Sequence, residues 1–458
     1  MTAQAVLPLF SGADLDALVA WRSVSGGVVE PVSCRRLLAE ATLLAQHLSP
    51  LLAPGGGIVN LCADRYHFAL GFVAGLLCNA VSLQPASHAY ETLAEVAADY
   101  PGSLCLRDGD DSVLPSALHD FPLPDLSLAQ LDGVTQPPQI SVDRVVAILF
   151  TSGSTGRPQA QRKTWGKLVA NVEAGTQALG WAQTPHSIVA TVPAQHSYGF
   201  ESSFLPALQA ASPFWAGKPF YPQDIAAALA AVPRPRCLLT TPFHLAALLD
   251  AGIDIPALEG CVSATAPLTP ELAARAEAVL GAPLLEIYGS TESGQLASRR
   301  PTQETAWTLL AGVCLAETAG QIFASGRHVE GRVPLGDRIE QLADGRFALL
   351  GRHADTVNVA GKRTSLAWLN HQISAIPGVR DAAFYLPAGG PGQHVVRLAA
   401  FVVAPGLSPQ DLLAALRPRI DAVFLPRPLR LLEVLPRNST GKLTQQALET
   451  LYQQALHE

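Results

Sequence analysis

Four segments hold the residues whose types and spacing could do chemistry. The densest is Thr151, Ser152, Gly153, Ser154, Thr155 and Gly156, directly after an uncharged, β-branched run at 145–150. Such a run ending in breakers predicts a buried strand. A Gly/Ser/Thr loop leaving a strand can turn N–H groups and hydroxyls onto one small anion, because glycine has no Cβ to hold a ligand off. The competing reading of these six residues is a flexible linker. Glu286, Ile287, Tyr288, Gly289, Ser290, Thr291 and Glu292 end a predicted strand. They place an aromatic ring, hydroxyls and a carboxylate at the C-terminal edge, where open parallel sheets bind ligands. Asp337 follows a glycine in a turn, and Lys442 sits on a second Gly-containing loop at 436–442. Singly, each has a plain structural reading: Tyr288 as core, Glu292 as a solvated acid, Asp337 as a turn residue, Lys442 as surface.

The elements that must position these residues alternate. Strand-like runs at 57–62, 186–192, 237–240 and 260–263 are interleaved with helical patterns at 66–77, 222–232, 242–250 and 270–280. This predicts an α/β fold whose large N-terminal domain is built of layered, mainly parallel sheets and helices. Residues 108–140, rich in Asp, Pro and Ser, predict a surface excursion. After Asp337 the texture changes: a strand at 346–350, a polar, turn-rich stretch at 351–363, then helix 365–375, strands 381–386 and 395–403, and helix 408–422. That pattern predicts a small, mobile C-terminal α+β domain. The boundary, a natural hinge, falls at Arg352, giving domains 1–351 and 352–458.

The chain has 458 residues, 48% of them hydrophobic, enough for large cores; with only 6% aromatics, those cores must rest on Ala, Leu and Val. A formal charge of −7 gives no electrostatic case for nucleic acid or an acidic membrane surface. The seven cysteines are scattered without a C-x-x-C pair, so neither structural zinc nor a disulfide framework is expected. The first residues lack a basic region followed by an apolar one, and the apolar window at 68–77 is too short to span a bilayer. The expected address is the cytoplasm, with no membrane partner.

Taken together and in order, the four segments resemble the adenylate-forming superfamily: acyl-CoA synthetases, adenylation domains of peptide synthetases, and luciferases. The resemblance covers about 55–450. It implies ATP-dependent activation of a carboxylic acid as an acyl-adenylate, then thioester formation on a phosphopantetheine thiol. On that resemblance Thr151 to Gly156 would cradle the β- and γ-phosphates of ATP. Tyr288, with Glu286, Ile287 and Gly289 beside it, would lie against adenine, and Ser263, Ala264, Thr265 and Ala266 would form the other wall. Thr291 would bond the α-phosphate, while Glu292 and Thr155 would hold Mg²⁺. Asp337 and Arg352 would bind the ribose hydroxyls, and Lys442 would reach the α-phosphate and the carboxylate oxygen. Two anions must meet in this chemistry, so cations and N–H donors are needed where charge builds.

His196, Ser197, Tyr198 and Gly199 match the family's segment beside the acyl pocket: His196 would gate it and Tyr198 and Gly199 would line it. Ser263 and the 287–290 stretch, with Gly289 and Ser290, would complete it. Ser197 stands where α-amino-acid enzymes carry an aspartate, and a serine cannot pair a buried ammonium. The implied acid therefore lacks an α-amino group and is aryl or medium in size. The alternative is an amino-acid enzyme in which a shifted alignment brings Glu201 to that position. A narrower resemblance, through the Thr-Gly-x-Pro-Gln loop and the Lys163-Thr-Trp that follows, is to ligases of aryl-polyene pathways that load an acyl carrier protein. Coenzyme A presents the same thiol arm, so both acceptors stay open. The segment at 357–363 would line the channel for that arm.

The chain departs from the family at Gln159, where lysine is usual, with Arg157, Arg162 and Lys163 as nearby positive charges. It departs again at Glu286, usually asparagine, and at Ala354, usually the hinge acid, with Asp355 beside it. These departures motivate a second reading, a non-catalytic adenylate-binding protein. A P-loop NTPase is excluded, because Gly156 leads to Arg157 and Lys442 is followed by Leu443.

Overall fold

The computed structural model describes residues 5–12, 14–24, 27–109, 113–126, 135–152, 158–352, 356–359, 362–387, 397–438 and 441–457. The chain divides into two compact units, Met1–Val333 and Pro334–Glu458. The division precedes Arg352, so the hairpin of Asp337–Gln341 and Phe347–Arg352 packs with the second unit.

Two sheets organise the first unit. The larger has nine strands, in the order Thr308–Leu309, Gly294–Arg299, Leu284–Ser290, Gly260–Ser263, Arg236–Thr240, Ser187–Ala190, Phe214–Trp215, Leu18–Ser23, Val29–Ser33. Its central strands run parallel, and both margins are antiparallel. The central strands carry short apolar runs, as strands covered on both faces do: Ile188, Val189, Leu238, Leu239 and Val262 are all buried. Parallel strands put their C-terminal ends on one edge. Residues 191–199, Ser263–Ala266 and 288–292 all leave from that edge.

The second sheet has six strands: Pro158–Thr164, Val145–Ser152, Val81–Gln84, Gly57–Asn60, Leu104–Arg107 and His119–Pro122. His119–Pro122 extends it in parallel, and Gln139–Ser141 pairs with Val6–Pro8. The stretch read as a surface excursion at 108–140 thus contributes two strands. With one apolar residue among four, Phe121, the outer strand carries no period-two signal; only its neighbour specifies it.

A knot of phenylalanines fixes the segment after Gly199. Phe200 and Phe204, on a π-helical turn Phe200–Phe204, meet Phe68 and Phe72 of helix Arg65–Leu77 edge-to-face at 5.3–6.3 Å. Such pairs add about 0.5–1.5 kcal/mol each beyond area burial. The fully buried Arg65 of the same helix donates to Ser203 Oγ (2.6 Å) and the Val192 carbonyl (2.7 Å). Burial holds its guanidinium down to about 10. Gln195 Nε2 reaches the Cys62 carbonyl at 2.6 Å.

In the second unit, a three-stranded sheet of Asp381–Tyr385, Ala399–Val403 and Leu429–Leu431 is covered on both faces. Ala382, Phe384, Ala400 and Val402 pack with Leu369, Ile373, Leu412 and Leu416, while Ala383, Tyr385, Phe401 and Val403 pack toward the terminal helix Gln445–His457. The helix expected over 408–422 ends at Leu416. Arg417 keeps helical dihedrals as the C-cap, but Pro418 has no N–H to donate to the Ala414 carbonyl, so the hydrogen-bond ladder stops there.

Candidate active site

Tyr198 joins two of the predicted segments. Its hydroxyl donates to the Val262 carbonyl at 3.0 Å, one residue before Ser263, and burial holds that phenol well above its ordinary pKa. The bend at 196–199 is tight: a Cβ on Gly199 would stand 1.9 Å from the Pro193 carbonyl oxygen, so only glycine fits. His196 caps the turn, its Nδ1 accepting from the Tyr198 N–H at 3.2 Å.

Ser263 is fully buried, yet its Oγ meets no hydrogen-bond partner among the described residues. A buried hydroxyl left unmatched costs about 1–3 kcal/mol, so its retention points to a partner that arrives with a ligand. Two residues on, Thr265 has φ +81°. A β-branched residue there is strained, and such strain gathers at ligand clamps. Ala264 is buried, and Ala266 half-buried.

Tyr288 is half-buried, its ring 5.6 Å from that of Trp307. Arg299 stacks over Trp307 at 4.4 Å and pairs with Glu286 at 2.7 Å. Glu286 and Arg299 face each other across antiparallel strands. Both Glu286 oxygens are engaged, Oε1 also accepting from the Leu268 N–H at 3.3 Å. Burial raises the Glu286 pKa, and Arg299 opposes that rise. The glutamate that departs from the family's asparagine thus anchors a buttress, Glu286–Arg299–Trp307, behind the tyrosine. Arg299 and Trp307 escaped the sequence reading; the alternation of 286, 288 and 297–299 across a turn was their only signal.

Beyond Tyr288 the chain turns sharply. A Cβ on Gly289 would lie 2.2 Å from the Gly294 carbonyl oxygen. Ser290 and Ser293 close the turn, with Ser290 N–H donating to Ser293 Oγ (3.1 Å) and Ser293 N–H to Ser290 Oγ (3.3 Å). Thr291 and Glu292 sit half-buried at its apex. Among the described residues no three His, Cys, Asp or Glu converge. A cation at Glu292 would therefore take most of its ligands from phosphate and water, the usual habit of Mg²⁺. Ile287 is buried beneath, within the apolar cluster of Tyr198, Val262 and Ala264.

Thr151 lies half-buried at the end of Val145–Ser152, which also carries Ser152. Gly153, Ser154, Thr155, Gly156 and Arg157 lie outside the described residues, as do Ala354 and Asp355. Of the nearby positive charges, Arg162 is exposed and Lys163 is buried. Ser197 Oγ donates to Glu201 at 3.0 Å. The Glu201 carboxylate also takes Asn171 Nδ2 (2.6 Å) and the Gln295 N–H. Burial raises its pKa, opposed first by the charge of Lys163.

In the second unit Asp337 and Arg352 stand opposite each other in register on their hairpin. Strands Thr356–Val359 and Lys362–Ser365 form the next hairpin, over the stretch expected to line a thiol channel. Lys442 is exposed. Its N–H donates to Asn438 Oδ1 at 2.8 Å, and its carbonyl accepts from the Asn438 N–H at 3.0 Å. Arg437 clamps the loop, binding Asp381 through two bonds (2.8 and 2.7 Å) and the Gly441 carbonyl at 2.9 Å.

Residues 20–330 match the AMP-binding enzyme family, and the chain belongs to that family. It is an AMP-forming acid–thiol ligase. A 4-coumarate–CoA ligase of Rhodobacter capsulatus is 31% identical over 302 residues, covering 65% of this chain and 74% of that protein. The fatty acid–[acyl-carrier-protein] ligase ScoC of Streptomyces coeruleorubidus is 27% identical over 376 residues, 70% of each. The o-succinylbenzoate coenzyme A synthetase MenE of Bacillus subtilis, solved with AMP, has the same fold at TM-score 0.81 and 17% identity, covering 97% and 98% of the two chains. Among the described residues, no helix is long and apolar enough to cross a membrane.

Proposed function

We propose that this enzyme activates an aryl or medium-sized carboxylic acid without an α-amino group and passes it to a phosphopantetheine thiol. The observation that carries the choice of acid is the state of Glu201. It is the buried carboxylate next to the acid-pocket segment, and Ser197, Asn171, the Gln295 N–H and Lys163 already engage it. A substrate ammonium would find no uncommitted anion there among the described residues, and an unpaired buried ammonium is too costly to keep. That disfavours the amino-acid alternative.

In this reading the acid lies among Tyr198, Gly199, Ser263, Gly289 and Ser290, with His196 at its gate, and Ser263 Oγ gains the partner it lacks. Its carboxylate oxygen attacks the α-phosphorus of ATP; the P–O bond to pyrophosphate breaks as the new one forms. Thr291 and Lys442 donate to the α-phosphate oxygens where charge builds, and the loop from Thr151 to Gly156 holds the departing phosphates. Glu292 and Thr155 would hold Mg²⁺, which supplies positive charge to the phosphates when bound. Tyr288, Ala264, Thr265 and Ala266 enclose the adenine, and Asp337 and Arg352 bind the ribose. The acceptor thiolate then attacks the acyl carbon and AMP leaves with the bonding pair. Motion of a small domain about a hinge at Arg352 brings the 357–363 segment to the thiol arm. The relatives named for 4-coumarate and for an acyl carrier protein support both the aryl preference and the two acceptors.

The test is exchange of labelled pyrophosphate into ATP across a panel of aryl, aliphatic and α-amino acids. Exchange should follow aryl or medium-chain acids and be absent with α-amino acids; the reverse pattern overturns the proposal. Adding coenzyme A or holo carrier protein to the preferred acid then identifies the acceptor.

A further inference from the structure

We propose that Lys163 is a positioning residue for the turn bearing Thr291 and Glu292, with the buried carboxylate of Glu201 as its counter-charge. The inference rests on the adenylation reading of that turn.

Lys163 lies on Pro158–Thr164, opposite Ala147, and is 5% exposed. A lysine is almost never so buried without a partner. Its Nζ donates to the Glu292 carbonyl at 3.4 Å, a link from the six-stranded sheet to the turn at the edge of the nine-stranded one. Its counter-charge is Glu201, 2% exposed. Glu201 grips the same turn further along, taking the Gln295 N–H, with its Oε2 3.4 Å from where a Cβ on Gly294 would stand. His328 Nε2 closes the far end, donating to the Gln295 carbonyl at 2.7 Å.

Backbone groups on both sides of the turn are therefore gripped from within: the Glu292 C=O by Lys163, the Gln295 N–H by Glu201, the Gln295 C=O by His328. The same Glu201 takes Ser197 Oγ at 3.0 Å, so the acid-pocket segment and the turn share one anchor. Stability alone does not call for this arrangement, since a well-packed apolar pair in place of buried charges is often at least as stable. An apolar pair cannot donate to the Glu292 carbonyl. Lysine has left the usual loop position at Gln159, and this chain keeps a buried ammonium four residues later on the same strand.

The experiment compares wild type with K163M, K163R and the double variant K163M/E201Q, by thermal unfolding, calorimetric titration of ATP with Mg²⁺, and pyrophosphate exchange. K163M should melt earlier, because Glu201 is left without its counter-charge. The double variant removes both charges and should regain most of the melting temperature. Its exchange rate and its affinity for ATP with Mg²⁺ should nonetheless stay about 10- to 100-fold below wild type, the usual loss when outer support of a metal ligand is removed. K163R, which keeps a donor, should fall between. Recovery of both nucleotide affinity and exchange in the double variant, together with its melting temperature, would show that the pair only stabilises the fold and would overturn the proposal. Absence of exchange in wild type with every acid would instead sink the adenylation reading. The calorimetric comparison would still decide the role of Lys163.

Discussion

The turn at 290–294 and the loop segments around Arg437 and Lys442 each carry a residue proposed to act in adenylation, and they are built in opposite ways. The turn is anchored from beneath by buried charges on Lys163 and Glu201, and by His328. The lysine loop is held at its surface by Asn438, and by an Arg437–Asp381 pair whose side chains are 20% and 27% exposed. Buried charges restrict a backbone segment strongly, because any movement uncovers an unpaired ion. A partly exposed bidentate pair sets loop shape at much lower cost, and Lys442 itself is exposed. In the proposed mechanism this difference suits a turn that holds phosphate and metal in place, and a lysine that approaches for adenylation and then withdraws.

If that contrast holds, the largest effect comes from the exposed residue. Lys442→Ala should lower adenylation on the order of 10²- to 10³-fold, as for loss of a transition-state donor, while thermal unfolding stays at the wild-type temperature. A matching drop in melting temperature would break the contrast. Arg437→Ala should lower pyrophosphate exchange by roughly tenfold, with under about 1 kcal/mol lost from stability, the scale for a partly exposed pair; Arg437→Lys should not restore it, since lysine cannot make the two-bond fork.

Ser263→Ala tests the idea that this buried hydroxyl waits for substrate. The KM for the acid should rise about fivefold, near 1 kcal/mol for one hydrogen bond. The melting temperature should hold or rise, because an unpartnered polar atom has been removed. Unchanged KM would assign the hydroxyl no part in binding.

The smallest effect concerns pH. Burial holds the His328 pKa below its ordinary 6.5, helped by the charges of Lys167, Lys163 and Arg327. The unfolded chain then binds the proton first, so stability is full above about 6.5 and is lost as pH falls from there toward the folded value. Wild type should lose melting temperature on acidification through that range more steeply than His328→Gln; parallel curves would exclude His328 as the source.

Much of the central sheet was legible, because parallel strands buried on both faces read as short apolar runs between helical patterns. The helices at 222–231 and 270–280 and the strands at 237–240 and 260–263 lie where the periodicity places them. The edge strand His119–Pro122 was not legible, since only its neighbour defines it. The helix after Ser408 was overextended because its apolar spacing continues past Pro418, and a broken backbone overrides a continuing pattern.

The segments proposed to carry the chemistry, Thr151 to Gly156, His196 to Gly199, Tyr288 to Glu292 and the loop of Lys442, stand out in the sequence alone. Small, charged and aromatic residues in fixed local order need no partner to be recognised. Only the tertiary structure decided what stands behind them: Arg299 and Trp307 behind Tyr288, Lys163 and Glu201 behind Glu292, Asp381 behind Arg437. Those partners are brought together from distant parts of the chain, and their selection depends on burial and charge pairing in three dimensions. No local pattern records it.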